Sequence, residues 1–300
     1  MTVFLLKMKE AKKSLFIGFY RSGRGLSLLC NRRMQSMNFE TLMAIQDEAE
    51  RTAATYEIFN EDSRLNRSKA ARIEFITNAR AIESALFPGA RMLDIGAGAG
   101  EYSLYFAKRG YDVTAVELAP TNVEAFRAKI SPELPLTLIQ GNALNLSLFA
   151  DGSFDVVLLM GPLYHLRQAA DRNRAIAEAK RVCKKGGTIF FAFISNDMVV
   201  LTELSYRPGF FSENTYDHES FKVEDFPFVF FTLDQMREML RENGIAITRE
   251  IASDGVSELM EDAINALSEE DYAQYVRYHL YCSEKPEMLG RSNHLLFVGR

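Results

Sequence analysis

The run at 91–100, Arg-Met-Leu-Asp-Ile-Gly-Ala-Gly-Ala-Gly, sets a carboxylate, Asp94, two places before glycines at 96, 98 and 100. Met92, Leu93 and Ile95 read as the end of a buried parallel strand, and Gly96, Gly98 and Gly100 allow a tight turn that brings backbone close to a ligand. A dinucleotide fingerprint would place its third glycine at the next position, so that a helix N-terminus can hold a pyrophosphate. Glu101 stands there instead, and its charge would oppose a diphosphate. Asp94 at a strand end suits an ammonium group better than a phosphate. A second acid, Glu117, lies 21 residues after Gly96 and follows a strand-like alternation at 111–116. From there a carboxylate can accept both hydroxyls of a ribose, and Leu118 beside it would flank an adenine. The competing readings are a glycine-rich turn with no ligand and a solvated charge at a strand end.

A second chemical candidate closes the strand-like run at 154–161, where Met160-Gly-Pro-Leu-Tyr-His-Leu166 follows. Open α/β sheets bind ligands and do chemistry at strand carboxyl ends. Pro162 makes a rigid turn that presents Tyr164 and His165, and an unperturbed imidazole titrates near neutrality, as a proton acceptor should. The alternative is that Tyr164 packs against a ligand and His165 caps or packs a short helix. Asn142, after Gly141, is open to two roles as well: a turn residue, or a carboxamide whose oxygen faces an adenine amino group.

The elements that must position these residues are legible around them. A helix is predicted at 101–109 and stopped by Gly110, and another at 121–130 with Pro120 in its first turn. Successive motifs resemble class I S-adenosylmethionine-dependent methyltransferases: Leu-Asp-Ile-Gly-Ala-Gly-Ala-Gly at 93–100, Val-Glu-Leu at 116–118, Leu-Ile-Gln-Gly-Asn-Ala-Leu at 138–144, Phe-Asp-Val-Val-Leu-Leu-Met-Gly at 154–161 and Lys-Lys-Gly-Gly-Thr-Ile-Phe-Phe at 184–191. The segment Gly-Pro-Leu-Tyr-His-Leu is similar to segments of bacterial small-molecule methyltransferases whose acceptors are undefined. The resemblance covers 72–194 and implies an α/β Rossmann-like, seven-stranded, mostly parallel sheet with helices on both faces. It implies S-adenosylmethionine as the methyl donor and S-adenosylhomocysteine as product. Asp94, Gly96, Gly98 and Gly100 would then lie by the methionine and ribose, Glu117 and Leu118 by the ribose and adenine, and Asn142 and Ala143 by the adenine, with Met160 also at the cofactor. Tyr164 and His165 are the catalytic candidates. The third motif commonly carries Asp where this chain has Asn142.

Flanking segments extend the plan. Leu42, Ile45, Ala49 and Ala53 recur at helical spacing toward Tyr56 and Phe59, and a second amphipathic stretch runs from Arg64 to Phe87. Together 37–89 form an expected N-terminal helical cover over the ligand mouth. Tyr56, Glu57 and Arg64 would either face the ligand, Arg64 at the methionine carboxylate, or be ordinary amphipathic residues. From 90 to 300 runs the expected methyltransferase domain, with cap insertions at about 195–231 and 254–291. The first is aromatic and poor in period, so it either lines an apolar acceptor pocket or fills the core. A helix at 232–242, a strand at 245–251, a helical excursion at 257–280 and a final, antiparallel strand from His294 complete the seven strands.

Composition bounds the rest. Of the 300 residues, 47% are apolar, ample for a large interior, and the apolar runs 226–233 and 189–194 are strand-sized. A membrane span needs roughly twenty such residues. Cys30, Cys183 and Cys282 lack ligand or disulfide spacing, and His165, His218, His279 and His294 are scattered, which fits a reducing cytoplasm and no metal. The first 36 residues carry a net charge of plus seven, leaving minus twelve on the remainder. That basic tail is an arm for nucleic acid or acidic lipid, a stretch upstream of the natural start at Met34 or Met37, or a disordered tail. The acidic remainder repels phosphate and disfavours nucleic acid, which leaves a small-molecule acceptor as the expected partner. An RNA or protein methyltransferase, a non-catalytic cofactor-binding protein and an oxidoreductase on a similar sheet are the alternatives.

Overall fold

The structure, a computed structural model, describes residues 39–58, 61–225 and 227–300; the basic tail with Cys30, and Phe59 and Phe226, lie outside the described residues. Seven strands form one sheet: β1 Arg91–Ile95, β2 Asp112–Glu117, β3 Leu136–Gln140, β4 Phe154–Leu159, β5 Cys183–Ile194, β6 Ile247–Ala252 and β7 His294–Gly299, in the order β3-β2-β1-β4-β5-β7-β6. The first five run parallel, and β7 is antiparallel to both neighbours. This is the Rossmann-like, mostly parallel sheet that the motifs imply.

Alternation along the strands sorts side chains to two cores. Leu93 and Ile95 of β1 join Val157 and Leu159 of β4 on one face, together with Ile176, Met236 and Leu240. Met92, Val156 and Leu158 face the other way, with Phe75, Ile82 and Phe106. Asp94 shares the face of Met92. Its partner across the sheet is Ala115, and Ile95 pairs with Val116, so β1 and β2 end together and their loops open on one edge.

The helices are α1 Phe39–Ala44, α2 Glu48–Ile58, α3 Lys69–Glu83, α4 Glu101–Ala107, α5 Pro120–Arg127, α6 Ala169–Val182, α7 Asn196–Tyr206, α8 Leu233–Glu242, α9 Glu261–Asn265, α10 Glu269–Cys282 and α11 Pro286–Leu289. Two sequence expectations change. The stripe from Leu42 to Ala53 is not one helix: Asp47 Oδ1 accepts from Glu50 N at 2.8 Å and starts a new one. The aromatic insertion is not wholly irregular either. Ser195 caps α7 by accepting from Met198 N, and that helix escapes a periodicity search because its sequence is apolar on several sides. The predicted 64–87 helix is shorter, with Ser68 accepting from Ala71 N at its start. No described helix is long and apolar enough to cross a membrane.

Candidate functional site

The glycine turn is built by hydrogen bonds to the end of β2. Gly96 N and Ala97 N donate to Val116 O at 2.8 and 3.1 Å, and Gly98 N donates to Glu117 Oε2 at 2.8 Å. Gly96 has φ +75°, and a Cβ there would meet the Pro162 ring at 2.7 Å, so the first turn and the β4 loop touch through the missing side chain. Glu117 also accepts from Ala119 N at 2.9 Å and Asn122 Nδ2 at 3.2 Å. Three of roughly four lone-pair sites of the carboxylate are thereby taken, which leaves one free for a hydroxyl. Burial raises its pKa against these donors.

A cleft opens here, of about 590 Å³ with the open solvent at its mouth included. Its wall includes Gly96, Glu117, Leu118, Asn142, Ala143, Pro162 and His165 from the sheet edge, and Glu48, Ala49, Thr52 and Tyr56 from α2. The sequence-predicted Gly96, Glu117, Leu118, Asn142, Ala143 and His165 thus share one cavity wall. Asp94, Gly98, Gly100, Met160 and Tyr164 do not line it. Asp94 is buried and accepts from Ser103 Oγ at 2.7 Å; burial raises its pKa to about 6, although the Ser103 bond favours the ionised form. Gly100 has φ +85°, and its missing Cβ makes room for the Phe126 ring. Met160 packs against the second core. Asn142 turns its Oδ1 to Leu144 N at 2.9 Å, the turn role, while remaining on the wall.

The cover helix is the part sequence reasoning underused. Glu48, Thr52 and Tyr56 repeat every fourth residue and form one face, of which the search for apolar spacing met Tyr56 but not Glu48 or Thr52. Tyr56 Oη and His165 Nε2 are hydrogen-bonded at 2.8 Å, and Glu48 Oε1 accepts from Arg167 N at 2.6 Å, so α2 is tied to the β4 loop at two points. Burial lowers the His165 pKa to about 3, helped by the positive charges of Arg51 and Arg64. Burial likewise raises Tyr56, with Glu61 adding to it. The pair is a neutral imidazole and a neutral phenol near pH 7. Glu57 is exposed and off the wall. Arg64 is matched within the protein, at 2.8 Å to Glu61 and 2.7 Å to Glu74.

The insertion supplies one side of this group. Val229 N donates to Tyr164 O at 2.7 Å, and the Phe228 ring meets those of His165 and Tyr164 at 5.2 and 5.9 Å. Phe210, Tyr216 and Phe230 instead fill a small core with Ile194 and Val199. The core-filling reading therefore applies to these residues, and no described residue of the insertion lines the cleft.

Away from the cleft, Glu74, Asp254 and His294 bring their ligand atoms within 4.8 Å of one another. Their chemistry is that of an ion network: His294 Nδ1 lies 2.6 Å from Asp254 Oδ2, and Arg64 is hydrogen-bonded to both oxygens of Glu74. Burial works to lower the His294 pKa, but the Glu74 and Asp254 carboxylates outweigh it and raise it to about 9.

Residues 93–191 match a family described as a methyltransferase domain. An uncharacterised protein of Mycobacterium tuberculosis is 38% identical over 104 residues, which are 34% of this chain and 36% of that protein. A ubiquinone biosynthesis O-methyltransferase of Xanthomonas campestris is 34% identical over 109 residues, 36% of this chain and 44% of the relative. These matches span less than half the length of the relatives. Among solved structures, the PH0226 protein of Pyrococcus horikoshii has a TM-score of 0.55 at 19% identity, covering 82% of this chain and 98% of that one.

Proposed function

We propose that this chain, which carries a class I S-adenosylmethionine-dependent methyltransferase domain, methylates a small molecule in the cleft beneath α2. Glu117 is the observation that carries the proposal. Its carboxylate ties the glycine turn to the end of β2, stands on the cleft wall and keeps an acceptor site free for a ribose hydroxyl. Leu118, Asn142 and Ala143 beside it would border the adenine. The turn at Gly96 would lie by the methionine portion, with Asp94 supporting it from the interior through Ser103.

The donor supplies an electrophilic methyl on a sulfonium whose leaving group is already good. What remains for the chain is alignment of the attacking atom and exclusion of water. Tyr56, Thr52 and Ala49 cover the cleft from α2, and His165 stands at its sheet-side wall as a proton acceptor for an acceptor that needs one.

Calorimetry tests the donor. S-Adenosylmethionine and S-adenosylhomocysteine bind and NADH does not, while Glu117→Ala weakens binding at least tenfold with the fold intact by circular dichroism. Unchanged affinity in that variant, or binding of NADH alone, overturns the proposal.

A further inference from the structure

We infer that Tyr56 occupies the place of the methyl acceptor, and that the acceptor is a small hydroxylated aromatic compound methylated on its phenolic oxygen. The inference rests on the methyltransferase function proposed above. Tyr56 belongs to the cover and not to the sheet, yet its phenol lines the cleft with Gly96, Gly161 and Pro162 and reaches His165 Nε2 at 2.8 Å. Its ring centroid lies 5.3 Å from that of His165, which in turn meets Phe228 at 5.2 Å and Tyr164 at 5.1 Å. A planar ring bearing a hydroxyl is thus already accommodated, with the hydroxyl on the one imidazole of the wall.

The charge of the site separates acceptor classes. An amine would arrive as an ammonium, whereas the place that Tyr56 fills faces a neutral imidazole and the positive charges of Arg51 and Arg64. A carboxylic acid acceptor would need no base. A phenol buried here stays protonated, as Tyr56 does, and requires one. With Nε2 unprotonated, His165 accepts that hydrogen bond. As transfer proceeds, a lone pair of the phenolic oxygen forms the O–CH₃ bond while the C–S pair returns to sulfur. The phenolic proton passes to Nε2 and from there to solvent. Loss of the sulfonium charge from the cleft makes the imidazole a better base as the proton arrives.

Withdrawal of Tyr56 must precede entry of the acceptor, and the tie of Glu48 to Arg167 N keeps α2 close when it happens. The test uses 4-methylphenol, which is the side chain of tyrosine, with the protein saturated in S-adenosylhomocysteine and binding followed by calorimetry. Tyr56→Ala is expected to bind 4-methylphenol at least tenfold more tightly than the wild type does. Toluene and benzylamine are expected to show no such gain, and adding His165→Phe should remove it. An equal gain for toluene, or no gain in a variant that is folded and still binds S-adenosylhomocysteine, overturns the inference. Failure of the wild type to bind S-adenosylhomocysteine overturns the proposed function itself, and the inference with it. In a parallel arm, wild-type protein with S-adenosylmethionine and a panel of catechols, amines and thiols is expected to yield methyl ethers by mass spectrometry. Methylation at nitrogen or sulfur alone overturns it.

Discussion

Gly100 shows how a residue in a ligand motif can act through packing. Its φ of +85° lies in the left-handed region, and a Cβ would fall 2.3 Å from the ring of Phe126, a fully buried side chain of α5. Gly100→Ala is therefore expected to lose roughly 2–4 kcal/mol from the left-handed backbone and the overpacked ring together. Urea unfolding measures this, and Gly100→Ala with Phe126→Leu should recover part of it, because neighbouring substitutions couple. An unaltered midpoint with lost cofactor affinity would instead make Gly100 a ligand contact. The sequence marks all three glycines alike, since spacing reports backbone freedom and not what fills the vacated space. Only Gly96 lies on the cleft wall. Glu117 and Leu118 were legible because a strand end fixes where its next residues point. The Tyr56–His165 bond was not, since it joins residues 109 apart in sequence and depends on how α2 docks.

Between elements, one tie outside the cores is ionic. Glu74 on α3, Asp254 after β6 and His294 at the start of β7 meet at the sheet edge, with Arg64 on the outer side of Glu74. Glu74 and Asp254 lift the His294 pKa from 6.5 to about 9, so the folded state holds its proton more tightly than the unfolded chain does. That stability is complete below about pH 6.5 and disappears as pH rises through 9. It amounts to on the order of 2–3 kcal/mol. Unfolding free energies at pH 6.5 and 9 should differ by about that much more in the wild type than in His294→Gln; parallel pH dependences would remove the assignment. The three residues were scattered in the sequence, and only the antiparallel return of β7 beside β5 brings His294 to this edge. The number of strands and their mostly parallel direction, by contrast, were implied by the resemblance that the motifs carry. The break between α1 and α2 and the existence of α7 were hidden for a local reason. A side-chain cap at Asp47 and one at Ser195 outweigh the apolar pattern on which a periodicity search depends.

At the scale of the molecule, the cleft is assembled from several elements. Its wall takes residues from α2, from the ends of β1 and β2, from the turn at 141–144 and from the β4 loop. α2 is anchored at this site through the Tyr56 and Glu48 bonds, and such local ties open at lower free energy than the sheet does. A ligand that touches all these parts binds only the closed arrangement, so it should stabilise α2 and the 141–144 turn more than the distant α8. At a concentration 100-fold above its dissociation constant, S-adenosylhomocysteine should add about 2.7 kcal/mol to the global unfolding free energy. For a chain of this size that raises the melting midpoint by roughly 4 °C. Hydrogen exchange locates the effect. Amides of 48–58 and 141–144 should slow at least tenfold with ligand, while those of 233–242 change little under native conditions. Uniform slowing of all three would describe a ligand that stabilises the fold without closing the cover. No slowing at 48–58 would separate α2 from the binding site, and with it the roles given to Tyr56.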